Sequence, residues 1–402
     1  MLIHGRAPCQ AAVWRPAACP TIDFGSWAVD KPQPDRIKWE PNKKVAFGEA
    51  AMPVIDADAH VLESPQTWSY MREHEQEWRP QIFVRDPTDG APYHKGQRHQ
   101  YWLIEGRVQS KGSNVGQDVP AEAANLSDVE RRLKHMDEVE IDMQVLYPSL
   151  FLRPLTTHHD VEFALVRSYN RWLADTWEKS NGRLRWIAAT PILSLIDVAK
   201  VRAELEFCKA HGACGLMLRG VECDMLISHR HFFPLFAMAQ ELDLAVCLHA
   251  GINSAAYHNI FVGDSSLMTF KFPVIGAFSA LLENEIPKRF PKVRWAFIEA
   301  SAQWVPYVIN QVGMQLRRKG IRPSDDLLGD NRFYVTTQRS DDLSWLLSEV
   351  GDTNIIVGTD YGHRDDTAEV DALKRMSHDG SLPRDSADRI LSSNPATLYG
   401  IA

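Results

Sequence analysis

The stretch Val54–Glu63 reads Val-Ile-Asp-Ala-Asp-Ala-His-Val-Leu-Glu, an apolar entry followed by alternating acidic and small residues. As a strand with a period of two, it places Asp56, Asp58 and His60 on one face, and Ile55, Ala57 and Ala59 on the other. Three metal-capable side chains on one face are costly to bury unless a cation or hydrogen-bond partners offset their desolvation, so the face predicts a metal site. Read alone, the same residues also suit a strand running into a solvated acidic loop. Three further apolar runs end in ligand-type residues: Ala-Val-Cys-Leu-His at His249, Trp-Ala-Phe-Ile-Glu at Glu299, and Ile-Ile-Val-Gly-Thr-Asp at Asp360, with His363 just beyond.

These runs belong to a regular alternation. Strands are expected at Val54–Glu63, Met143–Tyr147, Leu184–Thr190, Gly215–Arg219, Ala245–His249, Val293–Ile298, Phe333–Thr336 and Ile355–Thr359. Helices are expected between them: one opened by Asn125 or Ser127, then Val161–Trp177, Ile196–Ala210, His231–Leu242, Leu267–Ile286, Gln303–Arg318 and Leu343–Val350, with closing turns from Ser386. Eight apolar strands separated by helices predict a parallel sheet closed into a (β/α)8 TIM barrel, an α/β fold. An open doubly wound sheet is the alternative, but it would normally carry Gly-x-Gly-x-x-Gly after an early strand, and the chain has none. Barrel chemistry collects at the C-terminal strand ends, which brings Asp58, His60, His249, Glu299, Asp360 and His363 around one mouth. A single polar residue after a strand can merely cap the next helix; four strands ending this way point to a metal.

Two segments fall outside the alternation. Residues 1–52 are rich in Pro, Ala and Trp, and Trp14, Trp27 and Trp39 predict an arm that docks in part. The barrel domain then spans 53–402. Ser64–Ala124 is a long polar insertion after the first strand, with a hairpin expected in Gln100–Gln109; such a length suits a lid or a subunit contact, with Trp102 as its anchor.

At 402 residues and 45% hydrophobic content the chain can bury a large core. A net charge of -8 argues against nucleic acid as the main partner and favours a small-molecule substrate. No apolar run reaches membrane-spanning length and Met1–Pro20 lacks a signal-peptide core, so the expectation is a cytoplasmic protein without membrane attachment, oligomeric with its own kind or with another subunit. The six cysteines form no Cys-x-x-Cys pair and read as reduced thiols.

The Asp-x-His of Asp58 and His60, His249 at the fifth strand, and Gly-Thr-Asp-Tyr-Gly-His at 358–363 resemble the amidohydrolase superfamily. The likeness is to the branch containing aminocarboxymuconate semialdehyde decarboxylase and the γ-resorcylate decarboxylases, and it covers Val54–Ala402. The resemblance implies a divalent metal, usually zinc or manganese, held by Asp58, His60, His249 and Asp360, and an enzyme that hydrolyses or decarboxylates without oxidation. Two positions depart from the pattern. Asp58 stands where the semialdehyde decarboxylase has a histidine, and Glu299 where it has a catalytic histidine.

Roles follow as expectations. In the one-metal reading, Asp360 or Glu299 moves the proton. In a two-metal reading, Glu299 and His363 complete a dinuclear iron or manganese centre that activates oxygen; a non-catalytic barrel subunit is the third reading. Arg219 either binds a substrate carboxylate or makes a structural ion pair. Trp304 and Tyr361 line a pocket or pack. His258, with His229 and His231, is placed near the mouth for substrate contact, whereas His158 and His159 read as solvated.

Overall fold

The computed structural model describes residues 52–85, 99–111, 119–253, 255–260, 267–363, 369, 371–378, 380 and 382–401. The expected N-terminal arm, with Cys9 and Cys19, lies outside the described residues. Eight parallel strands form one sheet in chain order: β1 (Ile55–Val61), β2 (Met143–Pro148), β3 (Leu184–Ala188), β4 (Ala213–Leu218), β5 (Ala245–His249), β6 (Trp295–Ile298), β7 (Phe333–Thr337) and β8 (Ile355–Val357). Helices occupy the crossovers, among them α1 (Val129–Glu138), α2 (His159–Lys179), α3 (Val198–Ala210), α4 (Phe233–Glu241), α5 (Phe272–Glu283), α6 (Val305–Arg318) and α7 (Leu343–Val350). The strands are apolar because both faces are covered: every residue of β1, β4, β5, β6, β7 and β8 is buried.

Closure happens where the chemistry sits. The Asp360 amide donates to the Asp58 carbonyl at 2.9 Å and the His60 amide to the Tyr361 carbonyl at 2.8 Å, joining the last strand to the first. Gly358 makes the approach feasible: a Cβ there would lie 2.3 Å from Asp58 Cβ and 2.8 Å from its backbone. β8 is shorter than the predicted Ile355–Thr359 because Thr359 gives its amide to the Asp56 carboxylate, not to a neighbouring strand.

Capping also departs from expectation. α1 is opened by Asp128, whose side chain accepts the Arg131 amide at 2.9 Å, while Asn125 closes a local turn onto the Ser127 amide. The predicted helix Leu267–Ile286 begins as a π-helical turn, Leu267–Lys271, runs as α5 to Glu283, and breaks at Glu285, whose φ is 53°.

The insertion after β1 holds the expected hairpin, extended to three antiparallel strands: Gln81–Arg85, His99–Ile104 and Arg107–Ser110. Its two-residue turn, Glu105 and Gly106, has positive φ at both positions (46° and 72°), the primed geometry that matches strand twist. Trp102 is the anchor: it is 1% exposed and meets Trp68 edge-on at 5.9 Å between ring centres. Trp68 sits on the short helix Pro65–Tyr70, which Ser168 of α2 secures by donating to the Thr67 carbonyl at 2.8 Å. Among the described residues no helix is long and apolar enough to cross a membrane, and Cys208, Cys214, Cys223 and Cys247 are free thiols.

Candidate metal centre

β1, β5 and the segment after β8 bring the predicted ligands into two adjoining donor sets. His60 Nε2 lies 3.1 Å from His249 Nε2, and Asp58 Oδ1 lies 3.3 Å from His249 Nε2 and 3.6 Å from His60 Nε2. Asp360 Oδ1 stands 3.6 Å from His60 Nε2 and 2.7 Å from His363 Nδ1. Two donor sets result, Asp58–His60–His249 and His60–Asp360–His363, sharing His60. Two donors about 2.1 Å from one ion and roughly at right or tetrahedral angles stand about 3.0–3.4 Å apart, which the tighter spacings here match. Burial, followed by the fields of His363 and His249, holds His60 well below the ordinary imidazole range, so it presents the neutral ring that ligates. Two imidazoles and two carboxylates fit a divalent cation of the zinc or manganese kind.

Asp56 shares the strand face yet stays out of the cluster. Its carboxylate accepts the Thr359 amide at 2.9 Å, the Thr359 hydroxyl at 2.6 Å and the Gln144 amide at 2.9 Å, and burial pushes its pKa up to about 6. Arg132 extends this network, donating from Nε to Gln144 at 2.7 Å and from another guanidinium nitrogen to the His60 carbonyl at 3.3 Å. Sequence reading missed Arg132; the available signal was an arginine three residues after Val129 on the apolar face of its helix. Ser149 and Glu63 were also missed. Ser149 Oγ lies 2.8 Å from both His363 Nε2 and the Val61 carbonyl, while buried Glu63 accepts the Leu150 amide at 2.9 Å and is raised by burial to about 7.

Glu299 meets the cluster from behind. Its Oε2 is 3.5 Å from His249 Nδ1, the ring nitrogen facing away from His60, and that nitrogen is also 2.7 Å from the Ala250 carbonyl. Glu299 falls in neither donor set. Both Glu299 (φ 60°) and Asp360 (φ 53°) adopt left-handed backbone, which turns their side chains off the strand line at a local conformational cost.

The remaining candidates separate. Arg219 makes a two-pronged ion pair with Glu222, at 2.9 Å from Nε and closer from a terminal nitrogen, so the ion-pair alternative is the one observed. Trp304 packs: its indole donates to the Ser301 carbonyl at 2.7 Å and meets Phe278 edge-on. Tyr361 likewise packs, beneath the Arg132 guanidinium at 3.6 Å and bonded to His135 at 2.7 Å. His229 caps the turn at Arg230–Phe232 and His158 pairs with Glu105, both outside the cluster. His258 lies on the helix Ala255–Ile260, with its side chain outside the described residues.

A cavity of about 430 Å³ opens at the ends of β2 to β5, lined among others by Arg107, Arg153, Thr190, Met217, Arg219 and Glu222. That volume suits a small organic ligand. The loop after β2 forms its border with the metal cluster: Ser149 contacts His363, and the Leu152 carbonyl accepts the Ile252 amide at 2.8 Å, three residues past His249.

Comparisons with known proteins agree with this layout. The amidohydrolase family model Amidohydro_2 matches residues 55–401. A solved amidohydrolase from Mycobacterium avium subsp. paratuberculosis K-10 superposes with a TM-score of 0.69 at 18% identity, over 88% of this chain and 100% of the other. The 5-carboxyvanillate decarboxylase of Sphingomonas paucimobilis gives 0.62 at 16% identity, over 88% and 100%. A dihydroxybenzoic acid decarboxylase from Polaromonas sp. JS666, solved with manganese and the inhibitor 2-nitroresorcinol, gives 0.58 at 18%, over 87% and 97%. A search of curated protein sequences gave no match. With the family model covering the whole barrel and the metal-type cluster at its mouth, the chain belongs to the amidohydrolase family and is an enzyme of that superfamily.

Proposed function

We propose that the chain is a metal-dependent, nonoxidative decarboxylase of a small aromatic or enol-type carboxylic acid. The observation that carries this reading is the convergence of Asp58, His60, His249 and Asp360 beside a ligand-sized cavity with arginines in its wall. The 5-carboxyvanillate and dihydroxybenzoic acid decarboxylases among the structural neighbours support it, and the manganese in one of them supports manganese, with zinc as the other candidate. Asp58, His60, His249 and Asp360 would hold a divalent cation, which would supply Lewis acidity toward a substrate oxygen next to the reacting carbon.

The protein's own groups then manage one proton. Asp360 Oδ1 is within hydrogen-bond reach of His363 Nδ1, so a proton can pass between them and be presented at the cluster. Protonation of the ring carbon that bears the carboxylate gives a saturated centre. The carbon–carbon bond to the carboxylate then breaks, its electron pair restores the ring, and carbon dioxide leaves. Glu299, on the far nitrogen of His249, orients that imidazole and does not deliver the proton in this scheme. Hydrolysis on the same cluster, or a dinuclear iron or manganese centre using His60–Asp360–His363 as its second donor set, is the competing chemistry.

The test is to load the purified protein with manganese or zinc, count ions per chain, and supply hydroxybenzoic acids in deuterium oxide. One ion per chain, carbon dioxide release and deuterium at the vacated ring carbon are expected. Two irons per chain with oxygen uptake would replace this reading by the dinuclear one.

A further inference from the structure

The cavity beside the metal cluster carries three arginines in its wall, and they are not equivalent. Arg219 is committed: its amide, its Nε and a terminal nitrogen all go to Glu222, and its remaining terminal nitrogen reaches the Phe151 carbonyl at 3.5 Å. A guanidinium neutralised in this way by a carboxylate that is itself buried has little left for an incoming anion. Arg107 lies on the rim, on the last strand of the insertion hairpin, where it is exposed.

Arg153 differs from both. Its Nε is buried without a hydrogen-bond partner among the described residues, and the residue lines the cavity. Glu63 acts on it only as a nearby charge, and burial of Arg153 weakens its hold on its own proton. A buried, unmatched guanidinium nitrogen is expensive to maintain, so its retention calls for a partner that arrives with the ligand. The backbone that carries it is fixed at both ends of the problem. Leu150 is held by the Glu63 carboxylate, Ser149 is held between Val61 and His363, and Leu152 is held by Ile252 next to the His249 segment. Arg153 therefore stands on a braced loop between the metal cluster and the cavity.

We propose that the cavity takes an organic carboxylate whose anionic group is gripped by the Arg153 fork, with Arg219 a positioning residue locked by Glu222. This rests on the decarboxylase reading for the chemistry of the ligand, and it assigns specificity to Arg153, not to the strand-end arginine that the sequence singles out. Of the acidic groups lining the cavity, Asp224 is exposed to solvent, Glu222 is neutralised by Arg219, and Glu162 is pushed up by burial to about 8, which leaves it mostly uncharged at neutral pH and lowers its repulsion of an anion.

The experiment uses the metal-loaded full chain and two probes that differ by one group, 2,6-dihydroxybenzoate and resorcinol. Dissociation constants are measured by calorimetry, and ion content is measured in parallel. For Arg153→Gln, affinity for 2,6-dihydroxybenzoate should fall about 10- to 100-fold, the effect of losing a charge-assisted pair, while affinity for resorcinol changes less than about twofold. Arg153→Lys, which keeps the charge and the fold, should lose roughly 3- to 10-fold on the carboxylate alone. Variants that bind both probes as the parent does, or that lose both equally, would overturn the assignment. A parent with a full complement of metal that binds neither probe would also overturn it, while leaving the metal centre standing; a parent that binds no metal would instead strike the functional reading beneath it.

Discussion

Asp56 and Thr359, 303 residues apart, are joined by two hydrogen bonds, the Thr359 amide to one carboxylate oxygen at 2.9 Å and its hydroxyl to the other at 2.6 Å. The link fastens the last barrel strand to the first at the residue just before Asp360. Asp56 therefore fixes backbone beside the candidate metal centre and lies in neither donor set.

Asp56→Ala removes the acceptor for four donors, the amides of Asp58 and Thr359, the Thr359 hydroxyl and the Gln144 side chain, and should destabilise the fold by about 2–4 kcal/mol, through unsatisfied buried groups. The folded-state pKa of Asp56 is raised to about 6 by burial, so its stabilising contribution is complete below pH 4 and is lost as the pH rises through 6. Urea unfolding should accordingly show a larger difference between parent and variant near pH 4 than near pH 7. An equal difference at both would mean that the carboxyl titrates normally in the folded chain.

Glu299→Gln separates positioning from proton delivery. The structure places the carboxylate 3.5 Å from His249 Nδ1, next to the Ala250 carbonyl that this nitrogen meets at 2.7 Å, so the variant should bind metal about 10- to 100-fold more weakly and regain most activity at saturating metal. A loss of about 10²- to 10⁴-fold that excess metal does not repair would make it the acid or base after all.

How much of this was legible beforehand differs by residue. Asp58 and His60 could be placed on one face by the period of β1, and His249 and Asp360 at or just after the ends of β5 and β8 by topology. Asp56 satisfied the same periodicity and was indistinguishable from a ligand, since nothing local announces a partner 303 residues away. For Arg219 the sequence left anion binding and an ion pair open, and the structure shows it paired with Glu222, three residues on. Arg153, Ser149 and Glu63 lie in loops, where neither periodicity nor propensity says which side chain turns inward. The left-handed backbone at Glu299 and Asp360 was likewise invisible, because non-glycine residues give no compositional sign of it.

The insertion should depend on Trp102. Trp102→Ala removes a fully buried indole from its edge-on contact with Trp68 and should cost about 3–5 kcal/mol, concentrated in the hairpin and not in the barrel. Amide exchange in His99–Ile104 and Arg107–Ser110 should accelerate at least tenfold, with β5 and β6 unchanged. Uniform acceleration across the barrel would show that the insertion is part of the global folding unit.

The central claim is that His249 and His60 hold one cation between them, and elemental analysis of His249→Ala tests it most directly. The parent, loaded with manganese or zinc and freed of excess, should carry about one ion per chain, and the variant less than about a tenth of that, with far-ultraviolet circular dichroism matching the parent. A variant that folds normally and keeps the parental ion content would contradict the assignment of the centre.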